Sequence, residues 1–303
     1  MSTTASRITT LTLSLALAAG SAHAATVRRQ IAANARGEVH ITNVAGSIVI
    51  RGWDKPTVSV TAELTSGRQR LLLRGSNGRT RVCVTDDAES CSWRSSSGRA
   101  HPARLEVHVP RDSEIDASAV SAGINSRGIA GVQHLHTVSG AIAAQLGSGD
   151  DVVKSVSGTI SLQGSGQDGT LRAATISGDL RATNVAGELD ARTINGRLTA
   201  QISPARIARL HTTSGPISLD ARLARGGTLD TETISGHQTI KVAAAAGYSY
   251  ALKSFSGHIE NCFGLQAKHP KYGPGSRLDG TRGAGEGRVR IKSLSGGISL
   301  CDH

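Results

Sequence analysis

The sequence predicts an all-β protein, wound as a right-handed parallel β-solenoid with coils of about 20 residues. Three observations carry this. The first is a phrase that keeps returning: Ser or Thr, an aliphatic residue, Ser or Asn, Gly, one free position, then Ile or Leu. It stands at Thr137-Val138-Ser139-Gly140-Ala141-Ile142, Ser155 to Ile160, Thr175 to Leu180, Thr193 to Leu198, Thr233 to Gly236, Ser254 to Ile259 and Ser293 to Ile298. Its glycines at 140, 158, 178, 196, 215, 236 and 257 are 18 to 21 residues apart. A fixed period of that size marks a repeat architecture. The second is period-two alternation within each repeat, as in Gly158-Thr159-Ile160-Ser161-Leu162, which means strands with one buried face. The third is composition: aromatics are 2% of 303 residues while Gly numbers 36. A thin core stacked rung on rung takes small branched side chains rather than rings. A β-sandwich, the globular alternative, carries no repeating phrase.

Along the chain, residues 1–24 read as a secretory signal peptide. Arg7 gives the positive start, Leu11 to Ala19 the apolar run, and Ala22-His23-Ala24 the cleavage site. Residues 25–112 are expected to hold the first coil and a longer-stranded N-terminal capping sheet. Within them Glu38 to Ile50 and Thr57 to Ala62 alternate as strands, 65–104 interrupt the period, and Leu105 to Val109 alternate again before Pro110. A cap is needed because an open first coil exposes a strand edge. Residues 113–303 form the regular solenoid, broken at 264–287 by a Gly-rich stretch expected to be a mobile loop. No later segment reaches 18 apolar residues, so no transmembrane helix is expected.

Four cysteines in an exported chain favour disulfides. Cys262 lies five residues after Gly257 and Cys301 five after Gly296. Equivalent positions in adjacent coils stand about 4.8 Å apart, within the disulfide window. The expected pairs are therefore Cys262–Cys301 and, closing a hairpin, Cys83–Cys91. A metal site is disfavoured because the cysteines form no C-x-x-C.

Asn43-Val44-Ala45-Gly46-Ser47-Ile48-Val49-Ile50-Arg51-Gly52-Trp53-Asp54, the Val109-Pro110-Arg111 junction, the recurring Ser-Gly phrase and a Gly-rich insertion before its last copy resemble the bacterial β-strand-repeat family known as "putative adhesins". The resemblance covers nearly all of 37–303. It implies a right-handed β-solenoid on an envelope or exported protein, periplasmic, secreted or at the cell surface, and it supplies no catalytic residues. The 65–104 stretch with its cysteines matches nothing in that pattern.

Chemistry is sparse. Gly164-Ser165-Gly166-Gln167-Asp168-Gly169 fits G-x-G-x-x-G, but a dinucleotide site needs a helix after it, and here a strand follows. A corner between strands explains the glycines, and no cofactor or metal is expected. His237 and His258 each follow a phrase glycine and are expected to stack in successive coils, as a face that could sense acid pH or hold a metal. The serines of the phrase, Ser139, Ser157, Ser177, Ser235 and Ser256 with Asn195, are expected to form hydrogen-bonded stacks.

Net charge is +11, with Arg7 the one charge in 1–24. Export argues against nucleic acid, leaving anionic envelope components (lipopolysaccharide, acidic glycan or cell wall) or a surface protein as partners. Arginine's planar fork suits phosphate and carboxylate. Candidate patches are Arg172, Arg181, Arg192 and Arg197 on the coils, and Lys268, Lys271, Arg277, Arg282, Arg288 and Arg290 on the loop. Parallel β-helices also include polysaccharide lyases and hydrolases, but Asp190, Asp220 and Asp230 are scattered rather than paired for acid/base work. End-to-end self-assembly is the third class. The sequence therefore reads as a non-enzymatic binding or scaffolding protein of the bacterial envelope.

Overall fold

The computed structural model describes residues 25–86, 91 and 101–302. The signal-peptide reading of 1–24 lies outside the described residues. Everything described is strand, turn or bend, and no helix among the described residues is long and apolar enough to cross a membrane.

Each regular coil contributes two strands. On one side, face A, Gln133–Thr137, Asp150–Ser155 and Asp168–Thr175 pair in parallel. On the other, face B, Ile142–Gln145, Ile160–Gln163 and the start of Leu180–Thr193 do the same. Register shows the repeat directly. On face A, Leu135 stands beside Val153, then Ala173, Ala191, Leu210 and Thr231. On face B, Ile142 stands beside Ile160, Leu180, Leu198 and Ile217. All of these columns are buried. Each aliphatic member contributes about 1.5–3 kcal/mol by leaving water. In the later coils the two strands run together through a bulged corner, as in Leu180–Thr193, whose register slips between Ala182 and Glu188.

The faces meet at the recurring phrase. Its first residue points inward: Thr137, Ser155, Thr175, Thr193, Thr212, Thr233, Ser254 and Ser293 are all buried. The Thr137 hydroxyl accepts a hydrogen bond from Gly140 N–H (3.0 Å) and donates to the Ala122 carbonyl of the preceding rung (3.3 Å). Ser254 does likewise with Gly257 and Gly296. The first residue thus forms a buried hydrogen-bonded stack, and the third forms an outer one, with the Ser139 and Ser157 hydroxyls donating to the Val120 and Val138 carbonyls of the preceding rung at 3.3 Å. The third residue also contributes through its backbone: Ser157 N–H donates to Val138 O and Asn195 N–H to Ile176 O, each at 2.8 Å.

The phrase glycines form their own column. A β-carbon on Gly158, Gly178, Gly196, Gly215 or Gly236 would sit inside the van der Waals radius of the carbonyl oxygen of the glycine one rung back. Only glycine lets successive turns approach this closely.

Both ends of the parallel stack are closed by antiparallel strands. At the N-terminal end Glu38–Trp53 runs parallel to Glu114–Arg127 along its length and also to Ala103–Pro110. Thr57–Leu64 pairs antiparallel with Ala103–Pro110, and Ala25–Ala32 antiparallel with Thr57–Leu64. Within the irregular 65–104 stretch, Arg70–Ser76 and Arg79–Thr85 form a hairpin turning at Asn77 and Gly78, both at positive φ. This is the Asn-Gly turn whose twist matches the strands it joins.

The C-terminal end departs from the expected order. Coils do not stack in chain sequence there. Gly287–Ser293 pairs with Ile217–Thr233 on one side and Tyr248–Ser254 on the other, and Ile298–Asp302 sits between Gln238–Ala244 and Ile259–Asn261. The last coil of the chain is therefore inserted before the coil that precedes it in sequence. The 264–287 stretch is not all loop: Ser276–Arg282 is a strand, antiparallel to Tyr248–Ser254, and it closes face A. Its glycines had hidden the alternation of Ser276, Leu278 and Gly280.

Cys83 and Cys91 are bonded with Cα atoms 5.7 Å apart, and Cys262 and Cys301 with Cα atoms 4.9 Å apart. The second bridge joins adjacent rungs, because Cys262 N–H donates to the Leu300 carbonyl.

Two outcomes follow for stability. Gly196→Ala is expected to cost more than about 3 kcal/mol, since backbone must move to admit the methyl group, whereas Gly67→Ala, with open space around it, leaves the urea midpoint nearly unchanged. Cys301→Ser, opening a 39-residue separation, is expected to cost up to about 4 kcal/mol. Hydrogen exchange should show protection lost first in the 248–282 segment.

Candidate functional site

Alternation decides what the phrase exposes. The residue before the buried Thr or Ser points out of face A, and so does the residue after it. The residue after it is the aliphatic one. Stacking converts it into a ladder: Val120, Val138, Val156, Ile176, Ile194, Thr213, Ile234, Leu294 and Phe255 follow each other rung by rung, each carbonyl accepting from the next rung's backbone. Apart from Thr213, these side chains are 38 to 54% exposed. Singly exposed aliphatics are ordinary, but a contiguous run is not.

The residue before the buried hydroxyl forms a parallel column. In spatial order it reads His136, Lys154, Ala174, Arg192, His211, Glu232, Lys292 and Lys253. Between column and ladder runs a groove in two contiguous sections of about 730 and 740 Å³ that share Glu232 and Ile234. The second section gains a third wall from Lys268, His269 and Pro270.

Charge in this column is unbalanced. Glu232 is its one carboxylate, 3.9 Å from His211. Lys154, Lys253, Lys268 and Lys292 have no carboxylate partner among the described residues. The neighbouring outward column is the opposite case, alternating Arg172, Asp190, Arg209, Asp230 and Arg290 along the register. Asp230 and Arg290 approach to 3.6 Å there, and Asp190 receives Arg192 at 2.8 Å. Face B is different again, with Ser161, Arg181, Thr199, Ser218 and Thr239 in one outward row. Burial holds the His136 imidazole below its usual pKa, aided by Lys154 and His134 and opposed by Asp116.

The loop cations do not act as one patch. Lys268 and Arg277 line the groove and bridge to each other through their backbones, with Arg277 bonded to Asp279. Arg282 is tied to Asp302 at 2.6 Å and lies 4.5 Å over the Phe263 ring. Arg290 faces Asp230. Lys271 lies 5.6 Å from the Tyr272 ring, and Arg288 stands on the outer surface between Thr228 and Ser249. His237 and His258 are not on successive rungs: Gly297 of the inserted coil lies between them, hydrogen-bonded to one side or the other through Gln238 and Ile298. The His237 ring fills the space beside Gly297, where a β-carbon would come within 2.7 Å of Nδ1. Gly164 to Gly169 is a corner between Ile160–Gln163 and Asp168–Thr175. Arg197 stands at the turn, its N–H donating to Asp179.

Residue type alone does not disclose the groove, because a recurring aliphatic side chain is ordinarily core. Counting the alternation forward from Leu135 puts Thr137 inside and Val138 outside.

One buried carboxylate lies at the opposite corner. Asp151 is 2% exposed and accepts the Gln133 N–H at 2.8 Å. Burial pushes its pKa up to about 6, and the Gln133 hydrogen bond opposes the rise. A folded-state pKa above the unfolded value stabilises below about pH 4, and that contribution is lost as pH rises through about 6. Asp151→Asn keeps the acceptor oxygen and removes the charge. It should raise stability at pH 7.5 by up to about 3 kcal/mol and change nothing at pH 3.5, read from urea unfolding at both values.

A stack of two-strand coils with a groove along one turn edge defines a repeat-built β-solenoid. The family model Toastrack DUF4097 matches residues 36–301, and the chain belongs to that family. No curated protein matches it. Similar solved structures include a "putative lipid binding protein" of Parabacteroides distasonis, 15% identical over 92% of this chain and 96% of that one with a TM-score of 0.45. A "putative adhesin" of Bacteroides fragilis is 10% identical over 92% and 97%, TM-score 0.33. A "putative cell adhesion protein" of Clostridium sporogenes is 6% identical over 92% and 100%, TM-score 0.26.

Proposed function

We propose that this chain is an exported, non-enzymatic binding scaffold of the bacterial envelope, and that it takes an anionic envelope component along the groove of face A. The observation that carries the reading is the convergence of Lys253, Lys268 and Lys292, none with a carboxylate partner among the described residues, on one section of the groove. Elsewhere on the face charges alternate and cancel. Here they do not, so the groove holds a positive potential in a partly water-excluded cleft. The signal-like segment at 1–24 and the two disulfides support an oxidising compartment outside the cytoplasm. Of the second cationic patch, Lys268 and Arg277 line this groove, the Arg277 charge being engaged by Asp279. Arg282 and Arg290 are engaged by aspartates.

Co-sedimentation tests it. The purified, oxidised protein should pellet with lipopolysaccharide or with isolated cell-wall sacculi at physiological salt, and not with neutral lipid vesicles. Lys253→Glu with Lys292→Glu should abolish that retention. Retention that vanishes for the native protein at physiological salt would mean diffuse charge alone and would sink the reading, as would retention indifferent to the double reversal.

A further inference from the structure

We infer that the groove takes an anionic amphiphile, with its acyl chain lying along the ladder of exposed aliphatic side chains and its acidic head held by Lys253, Lys268 and Lys292. This rests on the groove being the binding site proposed above, and it adds what the cations alone do not specify. A polyanion such as an acidic glycan has no use for an apolar wall, and the apolar wall here is continuous with the cationic one. Ile176, Ile194, Ile234, Leu294 and Phe255, with Thr213 between Ile194 and Ile234, form one side of the same cleft, whose other side carries lysine, arginine and histidine together with Ala174 and Glu232.

Dimensions agree. Nine rungs at about 4.8 Å make a ladder of about 38 Å. One leaflet of a bilayer's hydrocarbon core, the reach of a single acyl chain, is about 15 Å. A chain whose head sits between Lys253 and Lys292 therefore starts beside Leu294 and runs past Ile234 and Thr213 to Ile194, three rungs or about 14 Å. Each section of the groove, about 730 to 740 Å³, lies in the range of small-molecule sites. Polarity is ordered along the same direction. Cations gather at the three-walled end and Glu232 follows; beyond it come His211, Arg192, whose guanidinium is turned to Asp190, and Ala174, facing Ile194 and Ile176 across the groove. The three-walled end favours an acidic head, and the two-walled stretch beyond Glu232 leaves an acyl tail its apolar contacts. Lysine suits this geometry, since its methylenes lie on the apolar wall while its ammonium reaches the head group.

The test is displacement of a fluorescent fatty acid, stearate carrying a nitrobenzoxadiazole group near its methyl end, from the purified protein below the probe's critical micelle concentration. Palmitate should displace it; hexadecanol, hexanoate and inorganic phosphate should not. Ile194→Ser and Ile234→Ser should each weaken the probe about tenfold. Thr199→Ser on face B should not. All three positions are on the outer surface, and thermal unfolding checks that each variant folds. Competition by hexanoate or phosphate as strong as by palmitate, with the serine variants unaffected, overturns the acyl-chain inference and leaves the cationic groove standing. So does absence of probe binding in a protein that still pellets with lipopolysaccharide or sacculi. Absence of both removes the groove itself. A dimer in analytical ultracentrifugation that Ile234→Ser dissociates would place a second copy on the ladder and also overturn the inference.

Discussion

The structure depends on how closely one turn can lie on the next. Each recurring phrase brings a glycine onto the carbonyl of the glycine one rung back, and the inward hydroxyl of Thr or Ser fastens the turn by accepting the glycine N–H. That contact fixes the rung spacing at the edge where face A passes into face B. The strands then follow at their ordinary separation. Because turns stack in register, every position of the phrase becomes a column, and whatever side chain the phrase carries is multiplied along the molecule. A repeat of this kind builds extended surfaces without any single residue being special.

Multiplication explains why the three outward positions near the turn behave so differently. Three residues before the buried hydroxyl, acidic and basic side chains alternate from Arg172 to Arg290 and neutralise one another; exposed pairs of this kind are each worth about 0–1 kcal/mol. One residue before it, the column is mostly basic or neutral, and Glu232 is its single carboxylate. One residue after it, the column is aliphatic. A largely cationic wall, broken at Ala174 and Glu232, and a largely apolar wall, broken at Thr213, run side by side in consequence. The end of the groove is finished by a different device. The antiparallel strand Ser276–Arg282 covers the edge of face A, and the segment before it brings Lys268, His269 and Pro270 over the last rungs. Closing an open strand edge and walling the groove are done by the same segment.

Much of the fold could be read from the residues. The phrase glycines predicted the turns, the alternation predicted buried aliphatic columns, and equal offsets from Gly257 and Gly296 predicted that Cys262 would meet Cys301. Two things could not be read. The order of the last coils is a choice of strand edge, and the repeat, being the same in every coil, does not mark which edge is taken. Sequence spacing therefore placed His237 next to His258, whereas the inserted Gly297 separates them, and yet the same insertion sets Cys262 beside Cys301. The strand at Ser276–Arg282 was obscured by glycines at 273, 275, 280 and 283, which read as loop. The groove was a different kind of miss. Val138 and its equivalents looked like core because they are aliphatic, and only the phase of the alternation, with Thr137 buried, assigns them to the surface.

The central claim is that the ladder and the cationic column form one ligand surface. Methyl-selective NMR on isoleucine tests it most directly, because the molecule supplies its own controls: Ile176, Ile194 and Ile234 lie on the ladder, while Ile142, Ile160 and Ile217 are buried on face B. Titration with palmitate should shift the methyl signals of Ile234 and Ile194 and leave those of Ile160 and Ile217 in place. Shifts on face B, or none on the ladder at saturating ligand, would contradict the account.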